Sequence, residues 1–141
     1  MLKGILPIVS LKVSGHSMEP TFSHGQRLFI VKRAFAGKTL AVGELVVVKH
    51  PRTGALLVKR VAAGPHQEVR LQWGRLFVDR YRVEHSKLAS ANFGDEDEDF
   101  FWRIPADSYF VLGDNPAHST DSRHFGYVPR SAIIGKVIGS A

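Results

Sequence analysis

The chain has 141 residues, no cysteine, 44% apolar and 23% charged residues, and a formal charge of +6. Those figures describe an ordinary globular chain with room for a core. They exclude disulfides and thiolate metal sites, and no run approaches the roughly 20 apolar residues of a membrane-spanning helix. Five of the thirteen acids fall in Asp95-Glu96-Asp97-Glu98-Asp99. The rest of the surface is therefore more basic than the total, which suits an anionic partner without specifying one.

Residues 1–11 are apolar but short, broken by Pro7, and lack the basic start and small-residue cleavage site of a signal peptide. The chain is expected to be soluble or peripheral to a membrane. Ser14-Gly15-His16-Ser17-Met18-Glu19-Pro20-Thr21 then reads as a turn punctuated by glycine and proline. Arg27-Leu28-Phe29-Ile30-Val31, Leu45-Val46-Val47-Val48 and Ala55-Leu56-Leu57-Val58 read as short strands, the last two joined by a hairpin at His50-Pro51-Arg52-Thr53-Gly54. Val69-Arg70-Leu71-Gln72-Trp73 and Arg75-Leu76-Phe77-Val78-Asp79 form a second hairpin about Gly74. Residues 84–99 read as an irregular, partly helical insertion. Tyr109-Phe110-Val111-Leu112 and Ile133-Ile134-Gly135-Lys136-Val137-Ile138 are the later strands. Many short strands with regular turns predict an all-β fold, mostly antiparallel, in one domain over 1–141.

Three segments hold residues with chemistry. Ser17 lies on the first turn, where a hydroxyl can point outward while the backbone N–H faces a developing oxyanion; taken alone it is an ordinary turn serine. Lys59 lies in Val58-Lys59-Arg60-Val61, inside an apolar strand. A free lysine titrates at about 10.4, and apolar burial lowers that toward the roughly 7–8 that suits a general base. Alternation puts one of Lys59 and Arg60 inward without saying which, and charges on an edge strand are the plainer reading. The third segment runs from Gly113 to Gly126 and holds Asp114, Ser119, Asp121, Ser122 and Arg123. By composition it is a polar loop, with groups able to orient a lysine.

Other candidates rank lower. His16 adjoins Ser17, but neighbouring side chains of an extended segment point apart, so it is poorly placed as a base. The seven histidines show no metal-ligand spacing, and the acidic run lacks the spaced ligands and glycine of a calcium loop. Phe100-Phe101-Trp102 is either core or an exposed aromatic patch at a bilayer interface.

Taken together, the segments resemble the type I signal peptidase family, the Ser/Lys-dyad peptidases that remove signal peptides. The likeness rests on Gly15-His16-Ser17-Met18-Glu19-Pro20-Thr21, Gly43-Glu44-Leu45-Val46-Val47, Val58-Lys59-Arg60-Val61 and the 113–126 loop. It implies coiled antiparallel sheets forming a partly open barrel, with residues 64–104 as a small accessory insertion. It implies Ser17 as nucleophile and oxyanion donor, Lys59 as general base, and Ser119 as the group that orients the amine. Asp121 and Arg123 would pair to hold the loop, with Asp114, Ser122 and Arg60 as structural supports. Gly15 stands where some members carry a serine that completes the oxyanion hole, so backbone or water supplies that contribution here.

The resemblance implies no metal or cofactor, signal- or leader-peptide substrates with small residues such as alanine before the cut, and no nucleic acid partner. Peripheral membrane contact on the extracytoplasmic face suits a secretory enzyme. The lack of an anchor in the chain supports an alternative within the same chemistry, a cytoplasmic maturation peptidase for one leader, such as that of nickel superoxide dismutase. A LexA-like self-cleaving domain keeps the same dyad, but neither its DNA-binding helices nor its cleavage site is visible. A basic β-module without catalysis is the remaining reading.

Overall fold

The computed structural model describes residues 8–32, 39–94 and 97–141. Residues 1–7 of the apolar opening, and Asp95 and Glu96 of the acidic run, lie outside them. The apolar runs become β1 (Ile8–Lys12), β2 (Arg27–Lys32), β3 (Leu45–Lys49) and β4 (Leu56–Ala63). The middle of the chain supplies β5 (Glu68–Gln72), β6 (Arg75–Val78), β7 (Tyr81–Arg82), the single-turn helix α1 (Ser86–Ser90) and β8 (Asp99–Arg103). After β9 (Ser108–Leu112) come α2 (Ser122–Phe125), β10 (Val128–Pro129) and β11 (Ile133–Ser140).

Two antiparallel sheets result. The larger runs β1-β2-β11-β3-β4-β9-β10 and the smaller β7-β6-β5-β8. The all-β, mostly antiparallel expectation therefore holds, and the larger sheet curls into a half-barrel. Register shifts between Ile133 and Gly135, Val137 and Gly139, and Val61 and Ala63 bend its strands, because an unpaired residue kinks a strand and increases its twist. Gly135 is required at the first of these. A Cβ there would stand 2.6 Å from the Val31 carbonyl oxygen.

The predicted strands are recovered, with β4 running five residues further than Val58. The reason is burial on both faces. Val46, Val48 and Val61 pack with Tyr109, Val111 and Ile133, while Val47 and Val58 pack with Met18, Leu28 and Ile30 on the other side. An unbroken apolar run such as that of β3 is what a doubly covered strand needs. A third cluster joins the sheets through Ala62, Ala63, Leu71, Leu76, Phe110 and Leu112. Trp102 belongs to this junction, its ring 4.7 Å from Phe110, whereas Phe100 and Phe101 are about half exposed. Residues 84–99 contain α1, as expected, capped by the His85 side chain. Among the described residues no helix is long and apolar enough to cross a membrane.

Candidate active site

Ser17 is carried by the loop between β1 and β2. Its base is closed by Val13 N–H to Gln26 O (2.8 Å) and Gly25 N–H to Val13 O (2.7 Å). Met18 and Phe22 plug the loop into the core, 1% and 7% exposed. Burying two large apolar side chains on either side of a polar turn fixes the turn's orientation. The His16 ring faces Glu19 at 2.5 Å, at the surface, so it does not engage Ser17. No acceptor among the described residues meets the Ser17 backbone N–H.

Lys59 approaches from β4, a strand interior to the sheet between β3 and β9. This overturns the reading of Lys59 and Arg60 as edge charges. Alternation sends the two side chains to opposite faces, yet both are buried, at 2% and 6% exposure, because both faces of β4 are covered. Lys59 Nζ lies 3.0 Å from Ser17 Oγ. Burial pushes its ammonium down from the ordinary 10.5 to about 8. The charge of Asp121 opposes that fall, and Arg123 adds to it.

Arg60 ties the other face together. Its Nε and NH2 groups donate to the two carboxylate oxygens of Asp114 at 2.8 and 2.7 Å, and NH1 donates to the Gly43 carbonyl at 2.8 Å. Thr21 Oγ1 donates to the same Asp114 carboxylate. Burial alone would raise the Asp114 pKa, but the bonds from Arg60 and Thr21 outweigh it and hold the carboxyl below its usual range. A fork-on-carboxylate pair of this kind is directional as well as strong. Here it joins β4, the turn that carries Ser17 and the start of the 113–126 loop.

That loop is organised about Asp121, which is fully buried. Arg123 Nε donates to its Oδ1 at 2.8 Å, and Ser119 Oγ and Gly113 N–H donate to its Oδ2 at 2.8 and 3.0 Å. Asp121 also caps α2 in a reciprocal box with His124. Ser122 Oγ accepts from Val111 N–H at 2.9 Å, pinning the helix to β9. Asn115 completes the junction: its N–H donates to Ser17 O at 2.9 Å and its Nδ2 to His16 O at 3.0 Å. Gly113 permits this approach, since a Cβ there would stand 2.1 Å from Ser119 Oγ and 2.8 Å from Ser17 O.

The structure thus places the eight expected residues in linked groups: Ser17 with Lys59, Arg60 with Asp114 on the other face of β4, Ser119 and Arg123 on Asp121, and Ser122 on Val111 of β9. Ser119 differs from expectation in its bonding. Its hydroxyl donates to Asp121, and among the described residues the hydrogen-bond partner of the Lys59 amine is Ser17 Oγ. Thr21, Asn115 and Gly43 were inside the matched segments but carried no assigned role; only the fold reveals that their polar groups converge on Asp114, Ser17 and Arg60. A small pocket of about 60 Å³ opens beside Ser17, between Leu11, Val13 and Ser14 on one side and Leu56 and Val58 on the other.

A serine hydroxyl facing a buried lysine amine on a curled β scaffold is an arrangement that suits a serine hydrolase. Comparison with known proteins gives the family. Residues 4–140 match the family model described as "Signal peptidase, peptidase S26". Signal peptidase I V of Bacillus subtilis (strain 168) is 33% identical, over 92% of this chain and 83% of that protein. Signal peptidase I of Leptolyngbya laminosa is 30% identical over 89% of this chain, which spans 64% of that protein. The crystal structure of a signal peptidase I from Enterococcus faecalis V583 superposes with a TM-score of 0.60 at 26% identity, covering 72% of this chain and 98% of that one. The chain belongs to the signal peptidase family, peptidase S26, and is a serine endopeptidase of the signal-peptide-cleaving type.

Proposed function

We propose that Ser17 and Lys59 form a nucleophile–base dyad that cleaves signal or leader peptides after small residues. The 3.0 Å approach of Lys59 Nζ to Ser17 Oγ in an apolar, buried setting carries this reading. At pH 7 an amine titrating near 8 is neutral in about a tenth of molecules, against about one in three thousand for an ordinary lysine. The neutral amine takes the Ser17 proton as Oγ attacks the scissile carbonyl, and the unengaged Ser17 N–H receives the oxyanion. The ammonium then protonates the leaving amine, and Lys59 activates a water to hydrolyse the acyl-enzyme.

The substrate lies extended between residues 11–14 and 56–58, adding a strand through main-chain bonds. The pocket of about 60 Å³ beside Ser17 supports small side chains before the cut. Arg60, Asp114, Asp121, Ser122 and Arg123 act by holding the two segments in register. Ser119 acts through Asp121. Residues 64–104 form an accessory part of one catalytic unit. Signal-peptide substrates place this chemistry at a membrane surface.

The test is cleavage of an Ala-x-Ala leader peptide. Ser17→Ala and Lys59→Met should each lower kcat/KM by at least about a thousandfold with the fold retained by circular dichroism. Near wild-type cleavage by either variant would exclude the dyad.

A further inference from the structure

One cavity on the smaller sheet lies away from Ser17. It measures about 390 Å³ on the outer face of that sheet, with Arg70, Trp73, Phe77, Arg80 and Phe101 among its lining residues. The placement follows from register. Arg70 stands opposite Phe77 on β6 and opposite Phe101 on β8, so the three side chains form one outward row across the sheet. The Arg70 guanidinium sits 5.6 Å from the centre of the Phe101 ring. Trp73, at the β5–β6 turn, is 62% exposed although its ring has nothing polar but one N–H to offer water. A cavity of this size with aromatic walls and a few charged groups has the proportions of a ligand site.

The charges on this face identify the ligand class. The Glu68 carboxylate, which also lines the cavity, is neutralised by Arg103 at 2.6 Å, and Arg75 and Arg82 donate to the carbonyls of Ala91 and Ala89 at 2.8 and 3.1 Å. Arg80 has no ion pair among the described residues, and Arg70 has only a loose one, 3.6 Å from the half-exposed Asp99. Two guanidiniums thus face one cavity with donors to spare, which suits a single anionic group. A polyanion is disfavoured, because the other arginines named are engaged and the Asp99 carboxylate stands beside Arg70. A bare anion is also disfavoured, because it leaves Trp73, Phe77 and Phe101 uncovered.

We propose that this cavity binds an anionic amphiphile, an organophosphate of the phospholipid class, with its head group on Arg70 and Arg80 and its apolar part across Trp73, Phe77 and Phe101. The site is independent of the peptidase reading. It is tested by calorimetric titration of the whole chain with monomeric dihexanoylphosphatidylglycerol, with Trp73 emission as a second signal. Saturable binding with a blue shift is expected, weakened by about tenfold or more in Arg70→Gln and in Arg80→Gln. Glycerol phosphate, which lacks the chains, and dihexanoylphosphatidylcholine, which lacks the net charge, should each bind at least about tenfold more weakly. Trp73→Phe should lose the blue shift and keep the calorimetric signal. Leader-peptide cleavage without lipid should be unchanged in Arg70→Gln, so failure here is separable from failure of the dyad. The proposal is overturned by no saturable binding, by glycerol phosphate or the choline lipid binding equally, by folded variants that bind like wild type, or by an oligonucleotide binding more tightly than the lipid.

Discussion

Replacing Lys59 by methionine tests the buried amine through stability, without any substrate. Lys59 is 2% exposed, and burial is the main cause that moves its proton affinity from 10.5 to about 8. Unfolded, the amine loses its proton near 10.5; folded, near 8. Between those values the unfolded chain holds the extra proton, so stability rises with pH across that window. Below pH 8 both states are protonated, and the folded state carries the whole desolvation cost. At about 1.36 kcal/mol per pH unit the full window is worth about 3 kcal/mol, and about 2–3 kcal/mol of it accrues between pH 7 and pH 10. Methionine is unbranched and one heavy atom shorter; it removes the amine with its bond to Ser17, a loss that shifts the whole profile, while the other titrating groups cancel in the pH dependence. Urea unfolding of both proteins at pH 7, 8, 9 and 10 measures the difference. Wild type should gain on Lys59→Met by about 2–3 kcal/mol over that range. Parallel stability profiles would refute the claim that the fold strips this lysine of its proton.

Three further outcomes follow from the same geometry. For a leader peptide, log kcat/KM should rise with unit slope up to about pH 8 and level off above it, as neutral Lys59 accumulates; a flat profile from pH 5 to 9 would contradict a lysine base. Arg60→Met leaves the Asp114 carboxylate buried without its cation and should cost about 3–5 kcal/mol at neutral pH. Because Asp114 is held below its usual range, that loss should shrink as pH falls through the carboxylate range, which thermal unfolding at pH 7 and pH 3 would reveal. Gly113→Ala places a Cβ 2.1 Å from Ser119 Oγ and 2.8 Å from Ser17 O, so it should destabilise the protein by about 1–3 kcal/mol and lower kcat. Gly139→Ala, with nothing within 4 Å, is the control that should do neither.

The strands were legible because their residues alternate or run apolar between glycines and prolines, and both patterns are local. β7 and β10 were not. Each is two residues long, and a pair such as Tyr81–Arg82 has no periodicity to detect. β1 lay in a segment whose apolar character suggested other uses, and it becomes a strand by pairing with β2 from Ile8↔Val31 to Lys12↔Arg27. The site residues were named from short segments matched in order along the chain, but their partners were not. Nothing local says that Thr21 reaches Asp114, 93 positions away, or that Arg60 reaches Gly43 O. Ser119 shows the limit from the other side: its place in the loop was foreseen, while its bond to Asp121 depends on how α2 is capped.

The chain alone determined an all-β fold, the family, and the residues from which a serine–lysine centre is built, because each is written in spacing and residue type. It did not determine whether Lys59 would be buried beside Ser17 or a surface charge. That was decided by β4 lying inside the sheet with both faces covered, since an amine loses its proton only where water is excluded from it. The tertiary structure also set the 3.0 Å approach to Ser17, the ties that hold the three segments together, and the arginine–aromatic cavity on the smaller sheet. Each of these joins residues far apart in the chain, and only packing can bring them within reach.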